Sequence, residues 1–292
     1  VLHFFPVVQG YLAPTLVRKL MQDSNTGTLS FGSLQIPPRP EVVTALMEEK
    51  IKEDPNFQRI AKLIAADVGL SAAMIKAVNS AAFGLDRKLA SVPQALHMLG
   101  LKQVTSIATA LVMRNMSGGG SKASLERFWD SAEKVALLCA RIAKKLHGIA
   151  ADEAYSYGLF HNCGIPLLLN HFPNYKEALI AANSSIEESF TACEEAKVGT
   201  SHAAVGYFLT RSWNLPSELC QAVLRHHETD AFTVADRGDH MLDFIAIGHL
   251  AEHVHHLSAR NGEDIEWNKF EGAVLKHFGL SDEDYQDIVE DT

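Results

Sequence analysis

Several things are scarce in this chain of 292 residues, and each scarcity excludes a class of protein. There are four cysteines, Cys139, Cys163, Cys193 and Cys220, none of them in a Cys-x-x-Cys pair. Neither a zinc ribbon nor a dithiol redox motif is spelled, and a reducing, cytoplasmic setting is the expectation. No apolar run reaches the roughly 18 to 20 residues of a membrane span. Residues Val1 to Gly10 lack the basic start and small-residue cleavage site of a secretory signal, so no export is expected. Basic residues are in deficit, 26 Lys and Arg against 35 Asp and Glu for a net charge of −9, which argues against a general grip on nucleic acid or on an anionic membrane. Six of those acids (Asp282, Glu283, Asp284, Asp287, Glu290 and Asp291) fall in residues 281 to 292, which contain no base, so the body is nearly neutral. Alternating strand patterns are hard to find.

What is present is helical. Leu70, Ala73, Met74, Ala77 and Val78 fall at i, i+3, i+4, i+7 and i+8, and Phe57, Ile60, Ala61 and Ile64 repeat the pattern over a shorter window. Asp54-Pro55 supplies a cap and a first-turn proline ahead of the second of these. The longest predicted helix runs from about Leu125 to His147, with Val135, Leu138, Cys139, Ile142 and Leu146 on one stripe and Gly148 beyond its end. The chain is therefore expected to be all-α, a multi-helix bundle in two helical lobes. Breaks at 23–33, at Gly118-Gly119-Gly120-Ser121 and, more weakly, at 230–239 divide it into an N-terminal helical arm (1–33), a central domain (34–230, with lobes of about 34–117 and 122–230) and a C-terminal helical segment (231–292). The arm carries Phe4, Phe5, Val7, Val8, Tyr11, Leu12 and Leu16, too apolar to be left in water, and is expected to pack on the body or on a second subunit.

Histidine is the compositional outlier, with 14 copies, nine of them after position 200. In a helix over 216–227, His226 falls in line with Leu219, Ala222 and Val223, with His227 on its flank. His202 aligns with Val205, Gly206 and Leu209, and His161 with Ala154, Tyr157 and Gly158. Three inward histidines on three helices could build a metal site, since imidazole is a common ligand and bundle sites draw on facing helices. A hydrogen-bonded core histidine remains the plainer reading of each. No local ligand motif such as His-Glu-x-x-His decides between them. His249, His253 and His256 border a further apolar stripe (Ile247, Leu250, Val254 and Leu257), with His255 facing away. The His249/His253 pair could chelate an ion or merely edge the core.

Four segments resemble the HDOD proteins, a bacterial signalling branch of the HD metal-dependent phosphohydrolase superfamily. They are Leu34-Gln35-Ile36-Pro37-Pro38-Arg39-Pro40, Ile64-Ala65-Ala66-Asp67-Val68-Gly69-Leu70, Val78-Asn79-Ser80-Ala81-Ala82-Phe83-Gly84 and Ala95-Leu96-His97-Met98-Leu99-Gly100. The physical reading of these residues is structural: Asp67 is placed to pair or cap, Asn79-Ser80 ends a helix, and Gly84 and Gly100 permit turns. In catalytic relatives a histidine on a long helix, a His-Asp dyad and a distal aspartate hold the metal. By that resemblance Ser131 stands for the first histidine, the dyad reads His161-Asn162, and His249 lies near the distal aspartate's position. Downstream histidines of expanded sites are matched by His202 and by His226-His227-Glu228, without the Gly-Tyr-Pro signature that follows in HD-GYP phosphodiesterases.

An asparagine in the dyad cannot act as a base or offset a cation's charge. The resemblance thus implies a non-catalytic regulatory or scaffold protein of signal transduction with a degenerate metal site, and a protein partner. A second copy of the chain is another possible partner. The alternative is a metal-dependent phosphohydrolase, of phosphodiesterase or nucleotidase type, using His161, His202, His226, His227 and His249. Any ion would be a transition metal such as zinc, iron or nickel, which imidazole suits.

Overall fold

The computed structural model describes residues 30–31, 34–35, 40–85, 87–116, 122–146, 148–234, 239–259 and 262–291. Two short strands, β1 (Ser30–Phe31) and β2 (Leu34–Gln35), pair antiparallel. The first half then holds α1 (Glu41–Lys50), α2 (Phe57–Ala65), α3 (Val68–Val78), a 3-10 turn (Ala81–Phe83) and α4 (Val92–Met116). The second half holds α5 (Lys122–Ala143), α6 (Ala151–Phe160), α7 (Gly164–His171), α8 (Tyr175–Ser184), α9 (Phe190–Val198), α10 (His202–Ser212), α11 (Ser217–Arg225), the single turn α12 (Ala231–Val234), α13 (His240–Ser258), α14 (Ile265–Phe278) and α15 (Asp282–Glu290). The all-α expectation holds. Of the N-terminal arm, only Ser30–Phe31 lies among the described residues, and it is strand rather than helix. The Gly118-Gly119-Gly120-Ser121 break lies outside them.

The helices start and stop where local chemistry allows. The cap of α2 is Asn56, whose side chain accepts from the Arg59 N–H at 2.9 Å, and not the expected Asp54-Pro55. Asp67 caps α3 by accepting from Leu70 N–H at 2.9 Å, and Leu70, Met74, Ala77 and Val78 are buried on one face. Asn79 ends α3, and its amide brackets the Leu89 backbone, accepting from the N–H and donating to the C=O, both at 2.7 Å. That double bond to a distant loop explains why an amide stands there.

Contrary to the expectation from apolar runs, the stretch Val92–Val112 in α4 is long and apolar enough to cross a membrane by length and composition. It is kinked at Gly100 (φ 81°, ψ 171°), and 56% of its apolar window is buried by its neighbours. A left-handed residue of this kind suits glycine because it has no Cβ to clash.

The two halves share one core. A continuous cluster of buried side chains runs from Leu34 through Val104 and Ile107 of α4, Val135 and Ile142 of α5 and Ile245 of α13 to Ile288 of α15. The acidic tail is therefore docked: Ser281 and Asp284 form a capping box, Ile288 is buried, and Lys145 reaches the Asp291 carboxylate at 2.7 Å and the Asp287 carbonyl at 3.1 Å. Close helix approach sets the site. A Cβ on Gly158 of α6 would lie 2.7 Å from Ala136 Cα of α5, and one on Gly164 of α7 would lie 2.1 Å from the His202 carbonyl oxygen of α10. Only glycine lets these backbones meet.

Candidate metal centre

The histidines converge because each sits at a helix end with a fixed backbone environment. Ser201 caps α10 and accepts from Ala204 N–H at 3.3 Å, which makes His202 the first helical residue. The His202 N–H, one of the donors a helix start leaves unpaired, bonds Glu194 Oε2 at 3.1 Å, and His202 Nδ1 bonds the same oxygen at 2.7 Å. His226 and His227 lie just past α11, which stops at Arg225 rather than reaching residue 227. His226 Nδ1 faces the Val223 carbonyl at 2.8 Å, and His227 Nδ1 faces Glu266 Oε1 of α14 at 2.5 Å. His161 closes α6, with Nδ1 2.9 Å from the Gly158 carbonyl.

These partners fix the tautomers. At His202, His226 and His227 the carbonyl or carboxylate facing Nδ1 requires an N–H there, and Nε2 is left with its lone pair; His161 differs, since a carbonyl faces its Nδ1 and the Glu252 carboxylate its Nε2. His202 Nε2 and His226 Nε2 lie 3.1 Å apart. Two lone pairs at that distance repel, and the contact calls for a cation between them or an added proton. Two nitrogens at 2.0–2.1 Å from a tetrahedral zinc would stand about 3.3 Å apart, so the spacing fits an ion. His227 completes a triad whose candidate ligand atoms all lie within 4.8 Å of one another. The three are buried, and burial, reinforced by neighbouring histidines, pushes His226 well below the ordinary imidazole range. Burial likewise lowers His202, against the pull of Glu194. Neutral imidazole is the ligand form. The donor set fits a borderline transition ion, and His202, His226 and His227 are the residues that would hold it through Nε2.

His161 stands beside this triad, its ring edge-on to His226 at 5.5 Å between centroids, with its Nε2 engaged elsewhere. Asn162 Nδ2 lies 2.8 Å from that nitrogen and 3.1 Å from Glu252 Oε1, and Glu252 Oε1 lies 2.9 Å from His161 Nε2. Asn162 Oδ1 is buried without a hydrogen-bond partner among the described residues. Burial would raise the Glu252 carboxyl, but His161, with help from His249 and His227, holds it at about 2. Glu266, also opposed by burial, is held at about 2 chiefly by His227.

The other expected residues are spent on structure. His249 Nε2 donates to the His226 carbonyl at 2.6 Å while its ring stacks on Phe270 at 3.8 Å. It braces the backbone that carries His226 and does not offer Nε2 to an ion. His253 bonds Asp264 at 2.8 Å and Tyr285 at 2.9 Å, so the His249/His253 pair does not converge as a chelate. His255, expected to face away, meets Ser131 Oγ of α5 at 2.8 Å. Sequence reasoning missed Glu194, Glu252 and Glu266. Only Glu252 left a signal, three residues beyond His249 on the same helix.

An all-helical bundle with a buried, carboxylate-braced histidine centre defines the class of protein. The HDOD domain family matches residues 36–229, and the chain belongs to it. The fold is similar to that of an HDOD domain protein with unknown function from Geobacter sulfurreducens (TM-score 0.67, 22% identity, 97% of this chain and 94% of that one). It is also similar to that of a Shewanella amazonensis SB2B protein provisionally named a phosphohydrolase (TM-score 0.67, 18% identity, 96% and 93%). An uncharacterized protein of Treponema pallidum (strain Nichols) is 27% identical over 199 residues, 64% of this chain and 37% of its own length. Protein YuxH of Bacillus subtilis (strain 168) is 31% identical over 100 residues, 34% and 24%. The chain thus spans well under two thirds of the length of these two relatives.

Proposed function

We propose that the chain is a non-catalytic regulatory or scaffold protein of signal transduction, in which the histidine cluster holds a divalent transition metal as a fixed part of the fold. The observation that carries this reading is closure. His161, His202, His226 and His227 are all buried. Catalytic metal sites keep a position open for water or substrate, whereas structural ones are closed by protein. Asn162 supports the same reading: a neutral amide stands where hydrolysis would need a base, and it is engaged with His161 and Glu252. When bound, the ion would supply charge and a cross-link between the start of α10 and the end of α11. The partner would be a protein or a second copy of the chain, not nucleic acid or membrane, in keeping with the net charge of −9.

The test is elemental analysis of the purified chain together with hydrolase assays in added manganese, nickel or iron. The expected result is stoichiometric zinc, iron or nickel that His226→Ala loses, without turnover of bis(p-nitrophenyl) phosphate or cyclic dinucleotides. Hydrolysis at enzymatic rates that His161→Ala abolishes would overturn the non-catalytic reading. A chain that takes up no transition metal would overturn the metal reading.

A further inference from the structure

On a different face, a cleft of about 310 Å³ opens between α5, α13 and the turn after α3. Its floor is apolar, made by Leu137, Leu138, Val254 and Ala82. Its polar groups are Ser80, Lys134, Arg141, His255 and Ser258, and no carboxylate lines it. This is an unusual lining for a chain with nine more negative than positive charges. Lys134 and Arg141 are seven residues apart on α5 and so share one face. Lys134 has no ion pair among the described residues. Burial chiefly, and Lys134 after it, push the His255 imidazole down, with Glu252 opposing them. Ser258 is spent on the His255 carbonyl at 2.7 Å. The Ser80 hydroxyl is buried and has no hydrogen-bond partner among the described residues. Glu252 is engaged with His161, and Asp291 takes Lys145 as well as the pull of Arg141.

We propose that this cleft binds a small organic phosphate: a phosphomonoester head on Arg141, Lys134 and the Ser80 hydroxyl, and an apolar body on the Leu137/Leu138/Val254 floor. A guanidinium and an ammonium on one face match a phosphate dianion better than a lone carboxylate, and the unpartnered Ser80 hydroxyl can turn from its buried position to donate to the head. Pockets of this size and mixed lining lie at the lower end of the ligand-binding range. The site is independent of the metal centre, and it assigns a use to Ser80, within the segment that carries much of the family resemblance.

Isothermal titration of the full chain with phenyl phosphate tests it, run with and without chelator so that the metal reading plays no part. Saturable binding is expected, weaker for inorganic phosphate and absent for phenol. Losing one charge-assisted bond should weaken phenyl phosphate about tenfold in Lys134→Gln, an exposed position that cannot threaten folding, and in Arg141→Gln, with a few-fold loss in Ser80→Ala. Lys76→Gln, which removes a lysine paired to Glu133 outside the cleft, should change nothing. No saturable binding at millimolar phenyl phosphate, phenol binding equally well, unchanged affinity in Lys134→Gln and Arg141→Gln, or an equal loss in Lys76→Gln would each overturn the proposal.

Discussion

Glu194 offers the sharpest test of how the centre is held. It is fully buried, and three donors converge on it: the Tyr175 hydroxyl on one oxygen, and the backbone N–H and Nδ1–H of His202 on the other. Glu194→Ala leaves all three without an acceptor and opens a cavity; each stranded buried donor costs about 1–3 kcal/mol, at least about 3 kcal/mol together. Glu194→Gln keeps the shape. Its oxygen can still accept both His202 bonds, its NH2 can donate to a rotated Tyr175 hydroxyl, and what is lost is the charge assistance, about 1 kcal/mol. The two variants should therefore separate by at least 2 kcal/mol in urea denaturation of the metal-free chain. In metal titration Glu194→Gln should lose about 10- to 100-fold in affinity, because a carboxylate behind Nδ1 makes the imidazole a better ligand. Equal stability losses for Gln and Ala, or an Ala variant within 1 kcal/mol of the parent, would refute the account of Glu194 as a three-bond acceptor.

Gly158→Ala should destabilise by about 1–3 kcal/mol because its Cβ meets Ala136 Cα, while Gly272→Ala, with nothing within 4 Å, should stabilise α14 by about 0.5–1 kcal/mol; thermal melts of both separate overpacking from helix propensity. Burial raises the Asp243 carboxyl, but bonds from His277 (2.8 Å) and His240 (3.0 Å) hold it below its ordinary value. Its contribution is present above the unfolded pKa and lost as pH falls through the folded one, so Asp243→Asn should flatten the acid limb of a stability-versus-pH curve below about pH 4. His240 is opposed by burial yet raised by Asp243 and Glu153, so its contribution is complete below about pH 6.5 and fades as pH rises through the folded value; His240→Gln should remove that step from the same curve. Asn79→Ala should cost about 1–3 kcal/mol in denaturant, since both bonds to Leu89 go at once.

The helices were legible because their information is local. The Leu70/Met74/Ala77 stripe and the Asp67 cap need only a few residues to be read, and both stand as expected. Where two local signals competed, the reading slipped: Asp54-Pro55 and Asn56 are all plausible caps, and only the bond from Arg59 N–H decides. The apolar stripe through Val223 ran on to His226, yet α11 stops at Arg225, and that stop turns His226 and His227 together toward His202. The carboxylates were illegible for a different reason. Glu194, Glu252 and Glu266 sit on α9, α13 and α14, and apart from the place of Glu252 three residues beyond His249, nothing in their neighbourhoods marks them as partners of His202, His161 and His227 until the chain folds.

Those three carboxylates also bear on how a histidine-rich centre would hold a cation beside Asn162, as the proposed reading requires. In a hydrolytic site the dyad carboxylate serves the ion directly, as a charge and as a means of readying bound water. Here negative charge stands one residue removed, on Glu194 behind His202 and Glu266 behind His227, while Glu252 faces His161 with the Asn162 amide alongside. Charge held behind an imidazole still offsets a divalent ion and still orients the ring. It cannot reach a water on the far side of that ring. On the proposed non-catalytic reading the arrangement keeps the electrostatics of holding a cation, while Asn162, a neutral amide, is not a base. His249 fits the same logic: its imidazole fixes the His226 carbonyl, and so the ring that must face His202, rather than adding a ligand.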